Sequence, residues 1–166
     1  MQNKGKVFEE DFKKSVPEEH FVYRFKDSAG TWQGGENTRF TPSNICDFMV
    51  MAKDILYLLE LKSHQGASIP FSCIRKNQIE DMSRIIHSNI RPLFILNFRD
   101  LERTYAVGAA ELKKYMESTD RKSIPVQWCI ENGIEIDGEK KRTRYKYNLK
   151  NLFDRGEING KVVEDF

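Results

Sequence analysis

The chain has 166 residues, 39% of them hydrophobic, and a formal charge of +2, so one domain can bury a core without disulfide or metal staples. A net charge this small excludes a protein that coats nucleic acid by bulk electrostatics. Cys46, Cys73 and Cys129 stand far apart, which excludes a CxxC zinc site or a disulfide framework, and no apolar run approaches the roughly 20 residues of a membrane span.

The N-terminal residues lead into an acidic helical pattern instead of a signal-peptide apolar segment. The expectation is a soluble, cytoplasmic protein with reduced thiols and a single domain over residues 1–166. Residues 6–16 place Val7, Phe8 and Phe12 at helical spacing, and Pro17 stops the pattern. Residues 20–25 alternate like a strand. Residues 27–44 lose all periodicity and collect Gly30, Gly34 and Gly35, which reads as a long loop or projecting arm. Two nearly continuous apolar runs, 45–51 and 55–61, read as a hairpin buried on both faces at the sheet centre. Ile79, Met82, Ile85 and Ile86 give a helix within 75–86. A strand follows at 93–98 after Pro92, with a partner at 104–107 and a short helix at 111–116. Beyond residue 119 the expectation is strands at 126–130 and 134–136, with a turn at Asp137-Gly138. The order points to an α/β fold, a mixed central sheet flanked by helices.

The informative feature is three charged residues inside the most apolar part of the chain, because a buried charge is costly unless it is paired or binds a metal. Asp47 interrupts the first run, and Glu60 and Lys62 end the second on one shared strand face. A two-residue turn at Lys53-Asp54 sets Asp47 directly across from Glu60, with β-carbons about 4.5–5.5 Å apart, where two like charges repel unless a cation lies between them. A three-residue turn would put them on opposite faces. Two carboxylates without a nearby His or Cys suit a hard cation, Mg2+ with Mn2+ as a substitute. Such an ion assists phosphodiester hydrolysis, and Lys62 is placed to hold the attacking water or offset transition-state charge. The plainer alternative makes Glu60 and Lys62 a strand-end ion pair and Asp47 a turn residue.

Asp47, the 13-residue interval to Glu60, and Glu60-Leu61-Lys62 resemble the PD-(D/E)XK nuclease signature. The surrounding residues are similar to RecU-type Holliday junction resolvases: Asn3-Lys4-Gly5, then Phe8-Glu9-Glu10-Asp11-Phe12, Ser68-Ile69-Pro70-Phe71, and Asn77-Gln78-Ile79-Glu80-Asp81-Met82. The likeness spans roughly residues 3–118. It implies a restriction-endonuclease-like fold and a structure-selective, Mg2+-dependent endonuclease acting on four-way junctions in recombination and repair, phage-encoded members included. It also implies a homodimer, a recombinase as a further partner, and a site in which Glu9, Asp47, Glu60, Lys62 and Gln78 surround the metal. The segment matching the family's central stalk is shorter here, and the tail after Thr119 has no match. A restriction-type or general repair nuclease of the same fold, and a non-catalytic DNA-binding recombination partner, are the rival readings.

Other residues have two readings each. Glu9 also suits the helix macrodipole, and Gln78 also suits an exposed helical position. Lys140, Lys141, Arg142 and Arg144, interleaved with Tyr145 and Tyr147 in the basic C-terminal segment 119–166, fit either a phosphate-contacting surface or a solvated strand. Trp32 and Phe40 in the arm fit contact with the open centre of a junction or local packing.

Overall fold

A two-residue turn at Lys53-Asp54, with Lys53 at φ 53°, joins the two apolar runs and sets the register of the central sheet. The computed structural model describes residues 3–26 and 44–155. In chain order its elements are α1 (Lys4–Ser15), β1 (Phe21–Arg24), β2 (Phe48–Ala52), β3 (Ile55–His64), β4 (Ser68–Pro70), α2 (Lys76–Ser83), β5 (Ile90–Phe98), β6 (Arg103–Gly108), α3 (Ala109–Ser118), β7 (Ser123–Pro125), α4 (Val126–Asn132), β8 (Ile134–Glu135), β9 (Gly138–Lys141), β10 (Arg144–Tyr147) and α5 (Lys150–Arg155). Six strands form one sheet in the order β1-β2-β3-β5-β6-β8. Only β3 and β5 run parallel; the other neighbours are antiparallel. The fold is thus α/β with a mixed central sheet flanked by helices, and β3 lies inside it.

Strand alternation divides the core in two. On one face Phe48, Val50, Leu59, Leu61, Leu93 and Ile95 meet α1, the β9–β10 hairpin and α5. On the other, Phe94, Leu96, Phe98, Tyr105 and Val107 meet α2, α3, α4 and the small β4–β7 ribbon. Helix α1 starts where the Asn3 side chain accepts hydrogen bonds from the N–H groups of Gly5 (3.0 Å) and Lys6 (3.3 Å), the ordinary N-cap arrangement. It buries Phe8 and Phe12, one turn apart, each contributing about 1.5–3 kcal/mol.

Several expectations shift. The hairpin is not buried on both faces: β2 buries Phe48, Val50 and Ala52 but leaves Met51 43% exposed, because no helix among the described residues covers that corner of the sheet. Residues 126–130 are helix α4, not a strand. Val126, Trp128 and Ile130 alternate over too few residues to distinguish period 2 from period 3.6, and the buried member is Cys129, with Ile130 turned out. Asp137-Gly138 is not the hairpin turn; Arg142-Thr143 is, with Arg142 at φ 54°. A β-carbon at 138 would come within 3.1 Å of the Tyr147 ring, so any residue but glycine there requires that ring to shift. Strand β5 takes in Pro92, whose missing N–H removes no bond to β6 because that ladder starts at Leu93. The arm over 27–43 lies outside the described residues, as do Trp32 and Phe40.

Candidate active site

The β2–β3 ladder pairs Phe48 with Leu59 through to Ala52 with Ile55, so Asp47 falls at its open end beside Glu60. There the regular ladder stops. The Asp47 backbone N–H donates to the Leu59 carbonyl at 3.1 Å, and its side-chain Oδ2 accepts the Leu61 N–H at 2.8 Å. The aspartate thereby grips β3 on both sides of Glu60, which fixes the carboxyl group without a further anchor.

Glu60 and Lys62 point to the α2 face, and Lys62 Nζ lies 2.5 Å from Glu60 Oε1. Both are withdrawn from water, with side-chain exposures of 2% for Glu60 and 17% for Lys62. Helix α2 is held down by buried Ile79 and Met82, and the same face carries buried Gln78, whose amide favours the charged form of Glu60. Arg75, exposed at the N-cap of α2, adds a positive potential at Glu60. The electrostatics are those of crowded carboxylates. Burial, then the charge of Glu60, pushes the Asp47 carboxyl up to about 7, against the Leu61 N–H bond and Lys62. Burial also raises Glu60, with Lys62 opposing.

Two buried oxygens here lack any hydrogen-bond partner: Glu60 Oε2 and Gln78 Oε1. Orphaned buried acceptors carry a desolvation cost of about 1–3 kcal/mol each, and a cation would satisfy both. With the Asp47 carboxylate they make an all-oxygen donor set, the kind Mg2+ prefers. These residues therefore fit a hard divalent ion, although no three His, Cys, Asp or Glu side chains converge into a ready-made cluster among the described residues.

Glu9 shows why. Its Oε2 accepts from Arg24 Nε at 3.0 Å and Nη2 at 2.5 Å. Its charge still bears on Asp47, but an ion pair already occupies the carboxylate. The structure brings Asp47, Glu60, Lys62 and Gln78 together and leaves Glu9 at the margin.

A comparison with known proteins bears on this arrangement. The sequence profile of recombination protein U matches residues 3–150. The chain belongs to the RecU family. It is 32% identical over 167 residues to the SPbeta prophage-derived uncharacterized protein YotM of Bacillus subtilis (strain 168), covering 90% of this chain and 85% of that protein. It is also 32% identical over 77 residues to the Holliday junction resolvase RecU of Lactococcus lactis subsp. cremoris (strain SK11), covering 46% of this chain and 36% of that one. No helix among the described residues is long and apolar enough to cross a membrane.

Lys140, Lys141, Arg142 and Arg144 sit on the β9–β10 hairpin, away from Glu60, and they differ from one another. Arg144 Nε lies 2.5 Å from Asp11 Oδ1 and its Nη2 2.8 Å from Glu10, which ties the hairpin to α1. Lys141 pairs with Glu139. Lys140 and Arg142 are exposed on the hairpin. Arg75 was not singled out from the sequence: an arginine opening an exposed helix turn carries no local signal, and only the packing of α2 on β3 aims its charge at Glu60.

Proposed function

We propose that this protein is a divalent-metal-dependent, structure-selective DNA endonuclease that resolves four-way junctions, encoded by a phage or prophage and acting as a homodimer. The observation that carries the reading is the pair of orphaned oxygens, Glu60 Oε2 and Gln78 Oε1, beside Asp47 and Lys62 in a buried setting. Its support from relatives is membership of the RecU family and a relative named as a Holliday junction resolvase.

Asp47 and Glu60, with the Gln78 amide oxygen, would hold Mg2+, or Mn2+ in its place. When bound, the ion supplies Lewis-acid stabilisation of charge at the phosphodiester and a lowered pKa for bound water. Lys62, restrained by Glu60 Oε1, presents its ammonium where the attacking water and the developing negative charge must lie. The Asp47 bond to the Leu61 N–H keeps β3 fixed while the carboxylates work. Partial burial of the set limits the access of bulk water, so each charge acts more strongly than it would in open solvent. Base sequence plays no part in this centre, so substrate preference belongs to DNA shape. We assign that preference to the arm with Trp32 and Phe40, to the hairpin lysines and arginines, and to the spacing of two sites in a dimer. A recombinase is a further partner on this reading, and residues 1–166 act as one nuclease domain.

The test is incubation of purified protein with a synthetic four-way junction, a matched linear duplex and Mg2+. Paired cuts in the junction with little cutting of the duplex are expected. Equal cutting of both would favour a general repair nuclease, and no cutting with either Mg2+ or Mn2+ would remove the nuclease reading.

A further inference from the structure

On the reverse face of the sheet from Glu60 and Lys62, at the same end of β3, lies a cavity of about 370 Å3 between the first turns of α1, the ends of β3 and β5, and the β9–β10 hairpin. That volume falls in the range of small-ligand sites. Its floor is polar where a sheet interior is normally apolar. Ser63 Oγ bonds Asn97 Oδ1 at 2.8 Å, and Asn97 Nδ2 bonds Thr104 Oγ1 at 2.9 Å. Asn97 is 8% exposed and Thr104 2%, and the Tyr147 hydroxyl lies against Thr104. A buried polar chain of this kind costs stability relative to a packed apolar one, and the fold gives no reason for it.

The rim supplies the reason. Lys4, Arg99 and Lys140 all border the cavity. Arg99 Nη1 bonds only neutral acceptors, the Ser63 carbonyl at 2.9 Å and its hydroxyl at 3.3 Å. Lys4 and Lys140 have no ion-pair partner among the described residues. The rim's carboxylates, by contrast, are engaged by the fold. Asp11 is neutralised by Arg144, Asp100 accepts the Gly66 N–H at 2.7 Å, and Glu102 accepts the Tyr145 hydroxyl at 2.5 Å. Those two bonds leave Asp100 and Glu102 charged, so with Asp11 offset by Arg144 three cations face two carboxylates, and the rim is positive by one charge over a floor of amide and hydroxyl groups.

We propose that this cavity binds a phosphate group, and that its source is a backbone phosphate of the DNA strand being cut. Ser63 follows Lys62, and successive strand residues face opposite ways. A DNA strand passing round the end of β3 therefore presents one phosphate to the metal-binding face and another, a short way along the same strand, to the cavity. The cavity would then set the register of the strand in the catalytic centre. The inference rests on the nuclease reading above and adds to it a second, separately testable grip on the substrate.

The test uses the full chain with junction DNA in EDTA, so that binding is read without cleavage. A methylphosphonate, which removes the charge of one phosphate, is placed in turn at each position flanking the cut. Wild type should lose about tenfold in affinity at one position within a few nucleotides of the cut, the scale of a lost charge-assisted contact. The Lys4→Gln/Lys140→Gln variant, altered only at lysines with no ion-pair partner among the described residues, should bind about tenfold more weakly, be insensitive to that substitution, and show a salt slope smaller by about one. Arg99→Lys should give an intermediate loss. If the variant keeps the wild-type methylphosphonate profile, the proposal is overturned while wild-type cleavage leaves the nuclease reading standing. If inorganic phosphate or dTMP raises the melting temperature of wild type but not of the variant, with DNA affinity unchanged in both, the cavity serves a free phosphate compound and the strand contact is overturned. If wild type neither binds nor cuts DNA, both readings fall together.

Discussion

Asp47→Asn should make the metal-free protein more stable while abolishing cleavage. Asparagine is isosteric, and its side-chain oxygen can keep the bond from the Leu61 N–H that Asp47 Oδ2 now accepts at 2.8 Å. What it removes is a carboxylate whose folded-state pKa stands near 7 against an ordinary 3.8, raised first by burial and then by Glu60. A raised carboxyl pKa means that the folded protein holds a proton which the unfolded chain has lost, so stability falls as pH rises from about 4 to about 7. A shift of about three units corresponds to about 4 kcal/mol at most, and partial solvent screening of a half-buried group lowers this to about 1–3 kcal/mol. Above pH 7 the penalty is fully present, so at pH 8 in EDTA the variant should melt about 2–10 °C above wild type. Mg2+ should raise the wild-type melting temperature and barely move the variant, because ligand binding stabilises only a fold that holds the site. Paired thermal melts at pH 5 and pH 8, with EDTA or Mg2+, measure all of this. A variant less stable than wild type at pH 8 in EDTA, or an equal response of both to Mg2+, would refute the argument.

Lys62→Ala should retain the Mg2+-dependent melting shift but slow single-turnover cleavage by about 100-fold or more, the scale of one lost electrostatic stabiliser; an unchanged rate returns Lys62 to a structural ion pair. Arg144→Ala should lower the urea unfolding midpoint, because it strands Asp11, 4% exposed, without its cation. An unchanged midpoint would mean that the hairpin is held by Tyr147 and its apolar neighbours alone. Replacing Trp32 through Phe40 by a short Gly/Ser linker should leave the Mg2+ melting shift intact but remove the preference for junction over duplex in a competition assay. Full preference in the shortened chain would transfer selectivity to the dimer and its basic surfaces.

The sequence left the hairpin register open between a two-residue and a three-residue turn, since runs apolar on both faces bury in either pairing; the two-residue turn at Lys53-Asp54 is the one that forms. Asp47 and Glu60 stood out as charges in a run that otherwise has none. What the alternation hid was the unevenness of cover: β2 is a period-2 strand, and nothing local reports that no helix among the described residues lies over Met51. Gln78 entered through resemblance alone, since a glutamine in a short amphipathic helix looks like surface until α2 is seen docked on β3. The ion pairs of Arg144 were hidden because its anionic partners, Glu10 and Asp11, lie at the far end of the sequence. The Ser63, Asn97 and Thr104 chain was invisible for a related reason, each being an ordinary polar residue until three strands set them side by side. Helix α4 was misread where a short alternating run fits either period.

The central claim is that Glu60 with Asp47 holds the ion that cuts junction DNA. The most direct test compares wild type with Glu60→Gln on one labelled four-way junction, measuring binding in EDTA and single-turnover cleavage in Mg2+ on the same preparations. The account predicts equal junction binding and no detectable cleavage by the variant, because the substitution removes a metal ligand and no phosphate contact. Cleavage by Glu60→Gln at the wild-type rate would contradict it.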